Sequence, residues 1–351
     1  MRRLVQGNEA IFLGALKGGA SFFAGYPITP SSEILLLAAR HAVSDPSFKF
    51  IQCEDELAAV NSIMGASLAG AKSFTATSGP GFSLMQEAVG YGHEVEIPSV
   101  IVNVQRVGPA TGMPTMPAQQ DVMQTKFGSH GDYYPLVFYP NSVKECYQYT
   151  AIAFNAAEES LSPVIVLSDA FLGHLNEMVD IKSIGTGRLI SRKRRPLGTG
   201  KRLFTGLSHD SFGRPRTADS SAYKKMNSRV KLLHDEVAAR HAYCECIDNP
   251  SSDTLIISYG IVSRVVGSLK SQFAMFRPIR IFPPLVNELR ECAAKYNKIV
   301  VIEANDGQYA DIAQLALNRE VIRIPLLGGK INLDEIKTEL SEKLARKAND
   351  V

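Results

Sequence analysis

The feature that most constrains this chain is its rhythm between Gly7 and about Asp169. Segments with helical spacing of apolar residues alternate with short apolar runs, and only a few Gly, Pro or Ser residues separate them. This order, repeated without long gaps, is that of a parallel α/β sheet with helices on its faces. The spacing predicts helices at 8–18, 31–42, 55–70, 119–126 and 142–159, and one from Phe82. Strands are predicted at 21–24, 48–53, 73–77, 98–104, 136–139 and 163–168. From Thr254 the alternation resumes, with strands at 254–259, 278–282, 298–303 and 320–324. Helices follow at 261–271, 285–295, 308–316 and 333–347. Residues 182–240, rich in Gly, Arg, Lys, Ser and Pro, break the rhythm and read as an inter-domain excursion. The expected division is therefore 1–181, a basic connector 182–240, and a smaller α/β unit 241–351.

A length of 351 residues with 45% hydrophobic content suits about two globular domains. The formal net charge of +3 gives no general case for nucleic-acid or membrane binding. That average hides an uneven distribution. The connector holds 15 basic and 4 acidic residues, a net +11, and leaves about −8 on the remainder. Its uses could be packing on an acidic partner, steering an anionic ligand, or binding nucleic acid, although no aromatic ladder, zinc finger or helix-turn-helix accompanies it. Five scattered cysteines, Cys53, Cys146, Cys244, Cys246 and Cys292, are expected as free thiols of a reducing compartment, with neither cluster nor metal ligation at Cys244-x-Cys246. The stretch 57–71 is too short to span a bilayer, and charges at Glu9 and Lys17 interrupt any signal sequence, so the expected location is the cytoplasm.

Four segments carry side chains suited to chemistry. The loop Gly25–Ser32 lies between a strand and a helix, where open α/β sheets bind ligands; it could equally be a rigid capped turn. Glu54-Asp55-Glu56 opens a helix. Acids there ordinarily complement the helix dipole, but in an apolar setting one could exchange a proton with a ligand nitrogen. Ser78-Gly79-Pro80-Gly81 allows close backbone approach yet has neither the Lys of a phosphate-binding loop nor a dinucleotide fingerprint. Arg106, at the end of an apolar strand, could clamp a substrate carboxylate or form a structural salt bridge. Gln119, Gln120, Asp121, His130 and Asp132 follow it.

Together, Gln6–Ala10, Gly25–Ser32, Glu54–Glu56, Ser78–Gly81 and Arg106–Thr115 closely resemble the alpha subunit of the 2-oxoacid:ferredoxin oxidoreductases, most of all the 2-oxoglutarate branch. The resemblance continues through Pro163–Asp169, Thr205–Asp210 with Gly213 and Pro215, and Glu303–Gln308. It implies a doubly wound pyrimidine-binding domain followed by a transketolase C-terminal-like domain. It also implies oxidative decarboxylation of 2-oxoglutarate with thiamine diphosphate, CoA and ferredoxin. Branched-chain or aryl 2-oxoacids, or a non-redox decarboxylase, are the alternatives. By the same resemblance Glu56, with Glu54 as the fallback, is the carboxyl that bonds the aminopyrimidine nitrogen and promotes its imino form. Thr29, Arg106 and Thr115 would hold the 2-oxoacid, and Ser78 and Gly79 would lie against the cofactor. The chain lacks the Gly-Asp-Gly…Asn site for magnesium and diphosphate, and a cysteine array for an iron–sulfur cluster. Both are implied on a beta subunit, with gamma and in some assemblies delta subunits completing the complex. No metal ligand is assigned to this chain.

Overall fold

The computed structural model describes residues 2–191, 195–200 and 203–349; Arg192, Lys193 and Arg194 of the basic run, with Lys201 and Arg202, lie outside them. The strands are β1 Arg3–Gln6, β2 Phe22–Gly25, β3 Lys49–Gln52, β4 Ser73–Thr77, β5 Ser99–Gln105, β6 Leu136–Phe138 and β7 Pro163–Asp169. They continue with β8 Asn176–Val179, β9 Cys244–Ile247, β10 Thr254–Ile257, β11 Ala274–Pro278, β12 Arg280–Phe282, β13 Lys298–Glu303 and β14 Ile322–Pro325.

A seven-stranded sheet runs in the order β12-β6-β7-β5-β4-β2-β3. Its strands are parallel except β12, which pairs antiparallel with β6. Successive side chains of a strand point to opposite faces, so β5 feeds two cores. Val100, Val102 and Val104 pack with Ile11, Ile34 and Phe154 on one face. Ile101 packs on the other with Val60, Ile63 and Val89. Burial on both faces explains why this strand reads as one apolar run.

The second sheet has the order β14-β13-β10-β11-β9, parallel but for the edge pair β11-β9. Leu255, Ile257, Tyr259 and Phe276 belong to the same buried cluster as Ile101 and Val60, so one core is continuous across both sheets. β12, from residues 280–282, also joins the two by adding itself to the first sheet. Among the described residues no helix is long and apolar enough to cross a membrane.

One unread helix is added and two expectations are corrected. First, the connector contains a 21-residue helix, Ser220–Arg240, capped by Asp219, whose carboxylate accepts from the Ser221 and Ala222 N–H groups (3.0 Å each). Met226, His234, Val237 and Ala238 form its buried stripe. The many Lys and Arg residues on its wet face mask that stripe in the sequence. Second, the expected helix at 119–126 shrinks to Gln124–Phe127. Side chains and backbone from elsewhere take the N–H groups it would need, as described below. Third, the cysteines are not all free. β9 lies antiparallel beside β11, which brings Cys246 to the helix Val286–Ala293 (Cα–Cα 6.5 Å), where it is disulfide-bonded to Cys292. A separation of 46 residues hides that proximity. Cys53, Cys146 and Cys244 are free.

Candidate active site

The parallel strands β2, β3, β4 and β5 point their carboxyl ends at one edge of the first sheet, and all four chemical segments lie there. After β3, Asp55 caps the helix Glu56–Leu68 by accepting the Ala58 N–H (2.7 Å). The cap fixes Glu56 as the first helical residue. Of the three consecutive acids, Glu54 is exposed, Asp55 intermediate and Glu56 buried, at 6% exposure. Burial raises the Glu56 pKa, and neighbouring Asp55 raises it further, while the Arg106 charge opposes both. Its own backbone N–H also holds the pKa down, and among the described residues no other side chain hydrogen-bonds its carboxyl.

Gly81 shows how tightly this carboxyl is enclosed. A Cβ there would lie 2.4 Å from Glu56 Oε1 and 2.2 Å from Thr77 Oγ1, so any larger residue displaces one of them. Its neighbours in the turn are equally bare. Ser78 is fully buried, and its Oγ has no hydrogen-bond partner. Gly79 faces Asp121, whose Oδ2 would lie 3.7 Å from a Cβ at that position.

Arg106 follows β5 and is nearly buried. Its Nη1 donates to the Thr29 carbonyl (2.7 Å), which ties the two loops together through the backbone of Thr29. Its Nε is buried and unpartnered. Thr29 itself is exposed, with its peptide to Pro30 cis. Asn8 secures the loop from below, donating to the Pro30 carbonyl and to the Glu33 carboxylate (2.9 Å each). Thr115 is exposed on the loop after Arg106 and makes no hydrogen bond to Thr29 or Arg106. The site thus gathers Glu56, Ser78, Gly79, Arg106 and the Thr29 backbone, and leaves Thr115 apart.

Asp121 is a member to which sequence reasoning gave no role. Its carboxylate accepts from Asn103 Nδ2 (2.9 Å) and its N–H donates to Gln105 Oε1 (2.9 Å). Burial raises its pKa; the Asn103 hydrogen bond and Arg106 oppose the rise. The second sheet holds this segment in place. The Gln119 N–H donates to the Ala304 carbonyl, the Ala304 N–H donates to Gln119 Oε1 (2.9 Å each), and Asn305 Nδ2 donates to the Gln119 carbonyl (2.7 Å). Gln308 accepts the Met123 N–H (2.9 Å). These contacts occupy the groups a helix would have used.

The residues present fit an aminopyrimidine cofactor. A buried carboxyl of raised pKa and no partner side chain among the described residues is suited to share a proton with a ring nitrogen, and orphaned polar atoms lie at Ser78, just after β4, and at Asn103 in β5. A guanidinium with an unpartnered nitrogen is suited to a carboxylate.

A family model for pyruvate flavodoxin/ferredoxin oxidoreductase, thiamine-diphosphate-binding, matches residues 13–242. The chain is 39% identical to 2-oxoglutarate synthase subunit KorA of Methanothermobacter marburgensis, over 96% of this chain and 97% of that one. It is 33% identical to ketoisovalerate oxidoreductase subunit VorB of the same organism, over 99% of each. Among solved structures, 2-oxoglutarate:ferredoxin oxidoreductase from Magnetococcus marinus, with 2-oxoglutarate, coenzyme A and succinyl-CoA bound, superposes with a TM-score of 0.89 at 29% identity. The match covers 97% of this chain and 65% of that longer one. The chain belongs to the pyruvate flavodoxin/ferredoxin oxidoreductase family, whose thiamine-diphosphate-binding domain it carries, and it is an oxidoreductase subunit.

Proposed function

We propose that this chain is the alpha subunit of a thiamine-diphosphate-dependent 2-oxoglutarate:ferredoxin oxidoreductase, which converts 2-oxoglutarate and CoA to succinyl-CoA and CO2 and reduces ferredoxin. The observation that carries the reading is the Glu56 carboxyl, buried, raised in pKa and without a side-chain partner, on the same sheet edge as Arg106. When bound, thiamine diphosphate supplies a nucleophilic carbon and an electron sink for decarboxylation. Glu56 holds a proton at the pyrimidine nitrogen, and its apolar surroundings keep water from competing for it. Gly79 and Gly81 leave room for a ring against the backbone, and Ser78 offers its hydroxyl to that ring. Arg106 pairs with the 2-oxoacid carboxylate while Thr29 O orients the guanidinium. Thr29 and Thr115 contribute hydroxyls once substrate draws their loops inward.

The same reading assigns residues 1–181 to the pyrimidine side of the site, 182–240 to partner contacts and 241–351 to support of the Gln119–Asp121 segment. A beta subunit provides the magnesium–diphosphate site and the iron–sulfur cluster; gamma and, in some assemblies, delta subunits complete a cytoplasmic complex. Purified alone, the chain will not decarboxylate 2-oxoacids. Co-expression with the cluster-bearing subunit, followed by assay of the complex with thiamine diphosphate, magnesium, CoA and a ferredoxin, tests the proposal. Turnover of 2-oxoglutarate well above 2-oxoisovalerate is expected. The opposite preference moves the enzyme to the branched-chain class, and turnover by the isolated chain overturns the half-site account.

A further inference from the structure

The connector displays a surface that the half-site does not use. Residues 203–216 fold into a loop closed on itself. The Leu203 N–H donates to the Phe212 carbonyl and the Gly213 N–H to the Asp210 carbonyl (2.9 Å each), and His209 pairs with Pro215 across it. The Asp210 carboxylate accepts the Phe212 and Arg214 N–H groups (2.9 and 3.1 Å). Gly213 is required there. Its φ is +79°, and a Cβ would fall 2.1 Å from the Leu203 carbonyl oxygen. The loop is fastened to the body where Gly206 lies against the Tyr91 ring, with Phe204 edge-on to that ring at 6.3 Å.

Despite this order, Leu203, Phe204, Leu207 and Phe212 stand exposed, at 42–56%. The Arg214 guanidinium lies 5.3 Å over the Phe212 ring. Arg214, Lys224 and Lys225 are exposed and form no ion pair among the described residues. A backbone tied down by its own hydrogen bonds is therefore holding four large apolar side chains out in water within a basic surround. Such a loop loses little conformational entropy on docking, and aromatic and Arg side chains are the usual anchors of protein interfaces. Four exposed apolar side chains gathered on one loop need a macromolecular surface to cover them.

We propose that residues 203–216, with the exposed face of the following helix around Lys224 and Lys225, form the docking surface for a partner protein presenting an apolar pocket rimmed by carboxylates. Charge complementarity to the exposed Arg214, Lys224 and Lys225, which form no ion pair among the described residues, sets that rim. The partner is the cluster-bearing subunit, so the inference rests on the function proposed above.

Hydrogen exchange on the full chain, alone and with that co-expressed subunit, tests it together with two double variants, Leu207→Ser/Phe212→Ser and Arg214→Glu/Lys225→Glu. Exchange in 203–216 should slow at least tenfold in the complex. Each double variant should raise the dissociation constant at least tenfold, and the charge reversal should also flatten its salt dependence. A wild-type pair that neither associates nor turns over a 2-oxoacid sinks the functional reading. A wild-type complex that forms and turns over, yet leaves 203–216 unprotected, overturns the docking surface alone. So does variant binding equal to wild type, or protection that appears only with added RNA or on self-association of the chain.

Discussion

Glu56 and Glu303 occupy comparable places, each buried at a turn between a parallel strand and a helix, and each with its pKa raised first of all by burial. Their surroundings differ in one respect. The Glu303 carboxylate accepts from the Tyr259 hydroxyl (2.6 Å) and from the Tyr309 and Ala310 N–H groups (2.9 Å each). Tyr259 O–H in turn receives Asn305 Nδ2, which also donates to Gln119. Among the described residues the Glu56 carboxyl takes a hydrogen bond only from its own backbone N–H. A buried acid with its lone pairs satisfied builds structure, here the joint between the two sheets. One that takes no hydrogen bond from another residue, at an open sheet edge, is held ready for a ligand.

Substitution should separate the two roles. Glu56→Gln keeps the shape but cannot share the proton, so turnover of the assembled complex should fall by about 100-fold or more. Thermal unfolding should be unchanged or slightly later, because a carboxyl whose ionisation burial penalises gives way to a neutral amide of the same shape. A large loss of stability with normal turnover would reverse the comparison. Gly81→Ala drives a methyl into Glu56 Oε1 and Thr77 Oγ1, and steady-state assay should show turnover reduced about tenfold or more while the complex still assembles.

Glu303→Gln should act oppositely. Lost hydrogen bonds at a buried joint should cost about 1–3 kcal/mol in denaturant unfolding, while turnover per folded complex stays within a few-fold of wild type. A pH-dependent effect concerns Asp169, whose pKa burial pushes up to about 7 even though its Oδ1 accepts the Phe171 and Leu172 N–H groups. A raised acid pKa favours the folded state when protonated. The contribution is therefore complete below the ordinary value near 3.8 and is lost as pH rises through about 7. Melting temperature should decline over that interval, and Asp169→Asn should flatten the decline. An unchanged slope would place the titration elsewhere.

Local patterning made much of this fold readable. β4 and β5 are buried on both faces, and the apolar run Val100–Val102 of β5 marks a strand of a covered parallel sheet. The turns at Glu54–Glu56 and Ser78–Gly81 were visible because acids, Gly and Pro interrupt such runs. Three features were hidden for physical reasons. The helix Ser220–Arg240 buries only a narrow stripe beneath a charged face. Asp121 depends on Gln105, Asn103 and, through Gln119, on Ala304, partners whose convergence no local pattern encodes. The Cys246–Cys292 bridge depends on β9 pairing with β11. Resemblance placed Glu56 among three acids; burial is what distinguishes it from Glu54 in the structure.

The central claim is that the Glu56 carboxyl is reserved for the cofactor while that of Glu303 is committed to the fold. Infrared difference spectroscopy of the assembled complex on adding thiamine diphosphate reads both carboxyls directly. The account predicts a carboxyl band change that Glu56→Gln abolishes and Glu303→Gln leaves in place. A band change that survives Glu56→Gln, or disappears with Glu303→Gln in a complex that still binds the cofactor, would contradict it.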